Sequence, residues 1–317
     1  MTSPEVLVLS GMPAETPETV DDLTAPICEA HPDVDLTVAT NYTDSLDRIA
    51  TADAVIAQHP TEEQLDAAED LAWLHALAAG VDYLPLDRLE SESVAVTTAS
   101  SANANSVAEH TLSLMLAFER RLTEAIRNEE RDEWRLPTAG ELSGQTVGLL
   151  GVGEIGTRVA ELCTAFGTTV VGLKRDPSNA PDVLDAVYGQ DDLHTVLGQS
   201  DYVVVAWPLT EETREMLTIK EFSTSMKRSA VLVNVARGGI VNQDHLAVAV
   251  QRGFIGGAAM DVFADEPLPP ESPLWQSQDV IVTPHMGGAT DRFLAGCGEL
   301  FAENYEHFVS GDLDSMN

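Results

Sequence analysis

The chain has 317 residues, enough for two ordinary domains with buried cores. Its 17 Lys and Arg stand against 52 Asp and Glu, a formal net charge of −35. That balance excludes the basic face with which a nucleic-acid binder displaces counterions, while 44 % hydrophobic residues exclude charge-driven disorder.

Along the chain, β-rich runs come first at Val6–Leu9, Val34–Val38, Ala54–Ala57 and Val94–Thr97, and the apolar stretch Leu71–Ala79 leads into Gly80-Val81-Asp82. Nearly continuous apolar strands separated by helical patterns imply a parallel sheet covered on both faces. A long helix is predicted over Asn105–Arg127, with Val107, Leu112, Leu114, Met115 and Phe118 as its apolar surface. It is too apolar for a free linker and is expected to pack between domains or subunits. A second series follows, with strands at Thr146–Leu150, Thr169–Leu173, Tyr202–Val205, Val231–Val235, Gly256–Met260 and Val280–Val282. A helix runs from the first of these strands to Phe166, and a terminal helix spans Asp291–Val309. The pattern is that of two α/β units, the second beginning near residue 102, with a terminal helix free to return to the first.

Cys28, Cys163 and Cys297 are scattered and odd in number, which points to reduced thiols and away from a disulfide frame or a cysteine metal site. Met1–Ser10 lacks the layout of a secretory leader, and no apolar run reaches membrane-spanning length, so a cytoplasmic protein without membrane or metal is expected. The lysines are only Lys174, Lys220 and Lys227. An acidic, lysine-poor surface suits a halophilic setting, because in molar salt the Debye length falls to about 3 Å and carboxylate repulsion is screened.

Gly151-Val152-Gly153-Glu154-Ile155-Gly156 satisfies GxGxxG. The pattern is weak alone, since a structural turn can also produce it, but here it directly follows a buried strand and opens a helix, as dinucleotide binding requires. Gly151 permits the tight turn, Gly153 lets backbone approach a pyrophosphate, and Gly156 allows close helix–sheet packing. Glu154 and Ile155 lie at the helix start, whose N–H groups face the phosphates. At the end of the next strand an NAD-preferring site carries an acid for the ribose hydroxyls. This chain has Lys174-Arg175-Asp176 there. Two cations suit a 2′-phosphate, so NADP(H) is the expected cofactor, with NAD(H) possible through a displaced Asp176.

Three later segments, Asn234–Gly239, Asp261–Pro269 and Thr283–Gly288, each begin at or just past a predicted strand end, where the ligand crevice of an open parallel sheet lies. Arg237 is suited to a substrate carboxylate through its fork of donors. His285 is suited to protonating a carbonyl oxygen as hydride reaches carbon, and to the reverse step. Glu266, bonded to the other ring nitrogen, would fix the tautomer. Singly, each residue has a duller reading as surface cation, loop carboxylate or capped loop histidine; together, downstream of a dinucleotide loop, they point to reduction of a 2-oxo acid.

Ordered over most of the chain, Ala79-Gly80-Val81-Asp82, Ser106-Val107-Ala108-Glu109-His110, the glycine loop, Pro208-Leu209-Thr210 with Thr213, and the three segments above resemble the D-isomer-specific 2-hydroxyacid dehydrogenase family. The resemblance implies two Rossmann-like or flavodoxin-like domains: a discontinuous substrate-binding domain of residues 1–101 and 288–317, and a dinucleotide-binding domain of residues 102–287. It implies Arg237, Glu266 and His285 as the catalytic trio, Asp261 as the acid near the nicotinamide carboxamide, and Ala79-Gly80-Val81 as a substrate-carboxylate cradle. Further cofactor contacts are expected at Pro208, Thr213, Val235, Ala236, Gly287 and Gly288, and a homodimer through the cofactor domain. Lys174-Arg175, where many members carry an acid, resembles the NADP-preferring glyoxylate/hydroxypyruvate reductase-like branch. The expected activity is NADPH-dependent reduction of 2-oxo acids to D-2-hydroxy acids. The alternatives are a narrow glyoxylate or hydroxypyruvate reductase and, from another class, a nucleotide-sensing corepressor-like binding protein.

Overall fold

The computed structural model describes residues 3–11, 18–78 and 80–316. These divide into two compact units, Met1–Asn103 with Ala289–Asn317, and Ala104–Gly288. Each is an α/β layer structure around an all-parallel sheet, the fold class that the apolar runs lead one to expect.

The first unit begins with β1 (Glu5–Val8), α1 (Val20–Ala30), β2 (Asp35–Val38), α2 (Tyr42–Ile49) and β3 (Ala54–Ala57). It continues with α3 (Glu62–Ala67), β4 (Trp73–Ala76), α4 (Leu86–Ser91) and β5 (Ala95–Thr98). The sheet order is β2-β1-β3-β4-β5, a flavodoxin-like winding. Alternation along each strand feeds two cores. Val6, Val8, Ala54, Ile56 and Trp73 face one side with Leu23 and Ile27 of α1, while Leu7, Val55, Leu74 and Ala76 face the other with Ile49, Leu65 and Leu89 of α2, α3 and α4. Both faces being covered, β3 and β4 are buried at every position, and a run without polar alternation is the result.

The second unit takes up α5 (Ser100–Glu119) after its first turn, then α6 (Leu122–Glu129), β6 (Thr146–Leu150), α7 (Glu154–Ala165), β7 (Thr169–Leu173) and β8 (Ala186–Tyr188). It continues through α8 (Leu193–Gln199), β9 (Tyr202–Val205), α9 (Ile219–Thr224), β10 (Val231–Asn234), α10 (Gln243–Gln251), β11 (Gly257–Met260) and β12 (Val280–Val282). Its order is β12-β11-β10-β9-β6-β7-β8. Chain order reverses between β6 and β9, which makes their carboxyl ends the switch point. Helices α5 and α7 cover one face through Val107, Leu112, Met115, Val159 and Cys163. Val196, Phe222 and Leu246 of α8, α9 and α10 cover the other. The last helix, α11 (Phe293–Ser310), belongs to the first unit, where it packs on α1 and stacks Phe301 on Trp73, ring centroids 4.3 Å apart and nearly parallel.

Two local expectations change. The single helix over Asn105–Arg127 is two, because Arg121 adopts φ 54° between α5 and α6. Val107, Ala108, Leu112, Leu114 and Met115 of α5 enter one core of the second unit. Strand β8 is an addition: three half-buried residues at a sheet edge carry too little apolar signal to read as a strand. No helix among the described residues is long and apolar enough to cross a membrane.

Candidate active site

Because every strand of the second sheet is parallel, the loops after β6, β7, β9, β10, β11 and β12 gather at one edge. After β6, Gly151 turns with φ 108°, and a side chain there would strike the Ala206 carbonyl at 2.7 Å. Only glycine meets both demands. Gly153 stands at the start of α7 with open space where a side chain would be, and no side chain caps the helix. Glu154 is exposed, Ile155 half-buried and Gly156 buried. An uncapped twelve-residue helix behind an open glycine offers N–H groups and the positive end of its dipole to an anion, so the residues fit the phosphates of a dinucleotide.

Lys174 follows β7, its backbone N–H donating to the Tyr188 carbonyl at 3.0 Å, and Arg175 is exposed beside it. The Asp176 carboxylate turns onto its own loop, accepting from Ser178 Oγ at 2.6 Å and Ser178 N at 3.0 Å. These bonds hold its carboxyl below the ordinary range, with Lys174 adding to the effect. After β9, Thr213 Oγ1 donates to the Pro208 carbonyl at 2.7 Å and accepts from Thr210 N, closing that loop on itself.

At the ends of adjacent strands β10, β11 and β12 stand Arg237, Glu266 and His285. The β10 loop is shaped by Asn234, a fully buried amide that donates to the Arg237 carbonyl and accepts from Ala236 N, each at 3.1 Å. Val235 is buried, and Arg237 Nη1 donates to the Ala236 carbonyl at 2.9 Å. Gly238 lies so close to the Phe263 backbone that any side chain would overlap it, which seats the Arg237 loop on the Glu266 loop. Glu266 Oε1 accepts from Phe263 N at 2.8 Å, and its Oε2 lies 2.7 Å from His285 Nδ1. Glu266 and His285 are thus in direct contact. Gly80 and Val81 lie in the first unit, in the turn after β4. Ala79 lies outside the described residues.

Asp261, 2 % exposed, is the most heavily bonded carboxylate of this edge. Its Oδ1 accepts from Thr283 Oγ1 at 2.6 Å and Met286 N at 3.0 Å, and lies 3.2 Å from His110 Nε2; its Oδ2 accepts from Gly287 N at 2.9 Å. Its carboxylate therefore serves donors of its own chain. His110 is absent from the residues singled out by chemistry, although it closes the Ser106–His110 run. On a helix that also carries four Ser, two Asn, two Glu and a Thr, residue type alone gave no signal for it. Burial pushes the Asp261 carboxyl up, but the bonds from His110, Thr283, Gly287 and Met286 outweigh it and hold it at about 2. A depressed carboxyl stabilises the fold above its ordinary value of 3.8, and the contribution is lost as pH falls to about 2. Asp261→Asn should therefore cost about 2 kcal/mol of unfolding free energy at neutral pH. In denaturant melts the gap to the parent should close as pH falls through that window; equal stability at neutral pH would refute the assignment.

Residues 112–287 match the family model described as D-isomer specific 2-hydroxyacid dehydrogenase, NAD binding domain. Over 259 residues the chain is 34 % identical to a glyoxylate reductase of Thermofilum pendens, covering 79 % of this chain and 76 % of that protein. It is 33 % identical over 285 residues to a D-3-phosphoglycerate dehydrogenase of Methanocaldococcus jannaschii, covering 87 % of this chain and 54 % of the relative. The chain therefore spans about half the length of the phosphoglycerate dehydrogenases it matches. Among solved structures, a D-isomer specific 2-hydroxyacid dehydrogenase from Xanthobacter autotrophicus, in complex with NADPH and MES, is similar with a TM-score of 0.83 and 27 % identity, covering 98 % of this chain and 96 % of that one. With more than half of its length matched to the family model and a third of its aligned residues shared with these relatives, the chain belongs to the D-isomer specific 2-hydroxyacid dehydrogenase family.

Proposed function

We propose that the protein reduces small 2-oxo acids to D-2-hydroxy acids, reversibly, with NADPH. The observation that carries this reading is the 2.7 Å contact between His285 Nδ1 and Glu266 Oε2 at the strand ends beyond a dinucleotide loop. An ionised carboxylate only accepts, so Nδ1 carries the proton shared with Glu266, and Nε2 is left to exchange a proton with substrate. A bound nicotinamide supplies the hydride that adds to C2. His285 Nε2 gives its proton to the carbonyl oxygen as the C=O π bond breaks, and in the reverse direction takes it back. Arg237 holds the substrate carboxylate and polarises the neighbouring carbonyl. We assign the first unit as the substrate-binding domain, with Ala79, Gly80 and Val81 as its carboxylate cradle, and the second as the dinucleotide-binding domain.

The cofactor loop is Gly151–Gly156, with Pro208, Thr213, Val235, Ala236, Gly287 and Gly288 lining the same sheet edge. Asp261 contributes through the turn it holds. The preference for NADPH rests on Lys174 and Arg175. Lys220 and Lys227 are paired with Glu221 and Asp201, whereas Lys174 makes no ion pair among the described residues. Asp176, committed to Ser178, offers the ribose hydroxyls little. The NADPH-bound structural relative supports the same preference. A narrower glyoxylate specificity is the second reading, favoured by the Thermofilum pendens relative.

A homodimer through the dinucleotide unit is supported by Trp134 and Leu136, 103 % and 96 % exposed on an irregular segment, with half-exposed Leu122 and Ile126 nearby in sequence. Large apolar side chains left in water mark an interaction surface where they form a contiguous patch. The charge of −35 would oppose association in dilute buffer. Sedimentation should give a dimer in molar KCl that dissociates on dilution of salt or in Trp134→Asp; a monomer under all conditions would contradict this.

His285→Ala should lower kcat for 2-oxo acid reduction by about 10²- to 10⁴-fold while NADPH binding is retained. Near-parental turnover would remove His285 as proton donor. Lys174→Asp should lower kcat/KM with NADPH at least tenfold more than with NADH, on the order of one lost charge-assisted hydrogen bond. An unchanged ratio of the two would remove Lys174 from the 2′-phosphate.

A further inference from the structure

We infer that His110, on α5, is a positioning residue for His285, acting through the Asp261 carboxylate and the turn 283–287. This rests on the reading of His285 as proton donor. His285 adopts φ 52°, a left-handed conformation that residues bearing a Cβ adopt infrequently and that needs outside support. The support converges on one residue. His285 N donates to the Asp261 carbonyl at 2.7 Å, Met286 N to Asp261 Oδ1 at 3.0 Å and Gly287 N to Asp261 Oδ2 at 2.9 Å. Three consecutive N–H groups of the turn are therefore held by Asp261. The last two depend on how its carboxylate is rotated.

His110 fixes that rotation from a separate element. Its Nε2 lies 3.2 Å from Asp261 Oδ1 and 3.2 Å from Thr283 Oγ1. The Thr283 hydroxyl proton is committed to Asp261 Oδ1 at 2.6 Å, so both oxygens facing the ring are acceptors. Nε2 therefore carries a hydrogen and shares it between them, which defines the tautomer without reference to pH. The ring also seats the turn by packing, since a side chain at Gly287 would stand 3.3 Å from His110 Cδ2 and 3.0 Å from Asp261 Oδ2. With Asp261 2 % exposed and the His110 side chain 13 % exposed, water is poorly placed to replace the ring as donor. Without that donor the carboxylate is free to turn, and the backbone carrying His285 loses the geometry that sets its ring against Glu266.

Two variants separate the donor from its volume: His110→Leu fills the space without an N–H, and His110→Gln keeps one at similar reach. Expected for His110→Leu is a loss of kcat of about tenfold, the scale of one hydrogen bond to a charge, with KM for the 2-oxo acid and Kd for NADPH within about twofold of the parent. His110→Gln should recover most of it. A readout independent of turnover is the low-field proton NMR signal of His285 Nδ1–H bonded to Glu266. It should be sharp in the parent and in His110→Gln, and broadened or shifted upfield in His110→Leu. Should His110→Leu fail to fold, His110→Asn, whose shorter amide does not reach Asp261, takes its place. Parental kcat and an unchanged His285 signal in the variant lacking the donor would overturn the proposal. So would a loss that His110→Gln does not repair and that NADPH binding shares. A parent that shows the NMR pattern but reduces no 2-oxo acid would instead refute the reductase reading and leave the positioning role standing.

Discussion

A single buried carboxylate organises the chemistry-bearing edge of the second sheet. Asp261 gathers donors from α5, from Thr283 and from two backbone N–H groups of the turn after β12. Removing a charge from water costs several kcal/mol, and it is tolerated where every lone pair finds a donor. Here the donors come from segments far apart in sequence, so satisfying the carboxylate ties these segments together. The turn they hold carries His285 at φ 52° with its Nδ1 against Glu266. Glu266 is in turn braced by Phe263 N, and Gly238 seats the Arg237 loop against Phe263. The three proposed catalytic side chains are thus set by backbone and buried polar groups rather than by one another alone.

Charge gives the same edge its second constraint. A surface with an excess of 35 acidic charges repels both a dinucleotide phosphate and a 2-oxo acid. In the proposed reaction anion binding then has to be local, and the candidates for it are the uncapped helix N-terminus behind Gly153 and the cations Lys174, Arg175 and Arg237 at strand ends. Short-range donors and charges act within the Debye length that screens the remainder. Two of the three lysines are spent on ion pairs, which makes the placement of Lys174 informative out of proportion to its number.

Much of this was legible in the sequence for a physical reason. Strands buried on both faces carry no polar alternation, so runs such as Ala54–Ala57 and Tyr202–Val205 stand out without an alignment. The placement of Arg237, Glu266 and His285 just past the ends of β10, β11 and β12 was legible because these residue types follow apolar runs closely. What stayed hidden depends on geometry beyond a local window. The break between α5 and α6 falls at Arg121, a residue with no turn preference to announce it. Strand β8 is short and half-buried. The roles of His110 and Asn234 arise from partners that are mostly backbone groups or distant side chains, and residue type alone carries no trace of such partners.

In the proposed reaction this edge moves a hydride to C2 of a 2-oxo acid while His285 supplies the proton. The most direct measurement uses NADPH carrying deuterium at both hydrogens of the nicotinamide C4, in molar salt, with a panel of small 2-oxo acids, followed by chiral mass analysis of the products. Hydride transfer places the deuterium on C2 of a D-2-hydroxy acid, with none of it exchanged into water. A product without deuterium, an L product, or binding of NADPH with no product from any 2-oxo acid would contradict it.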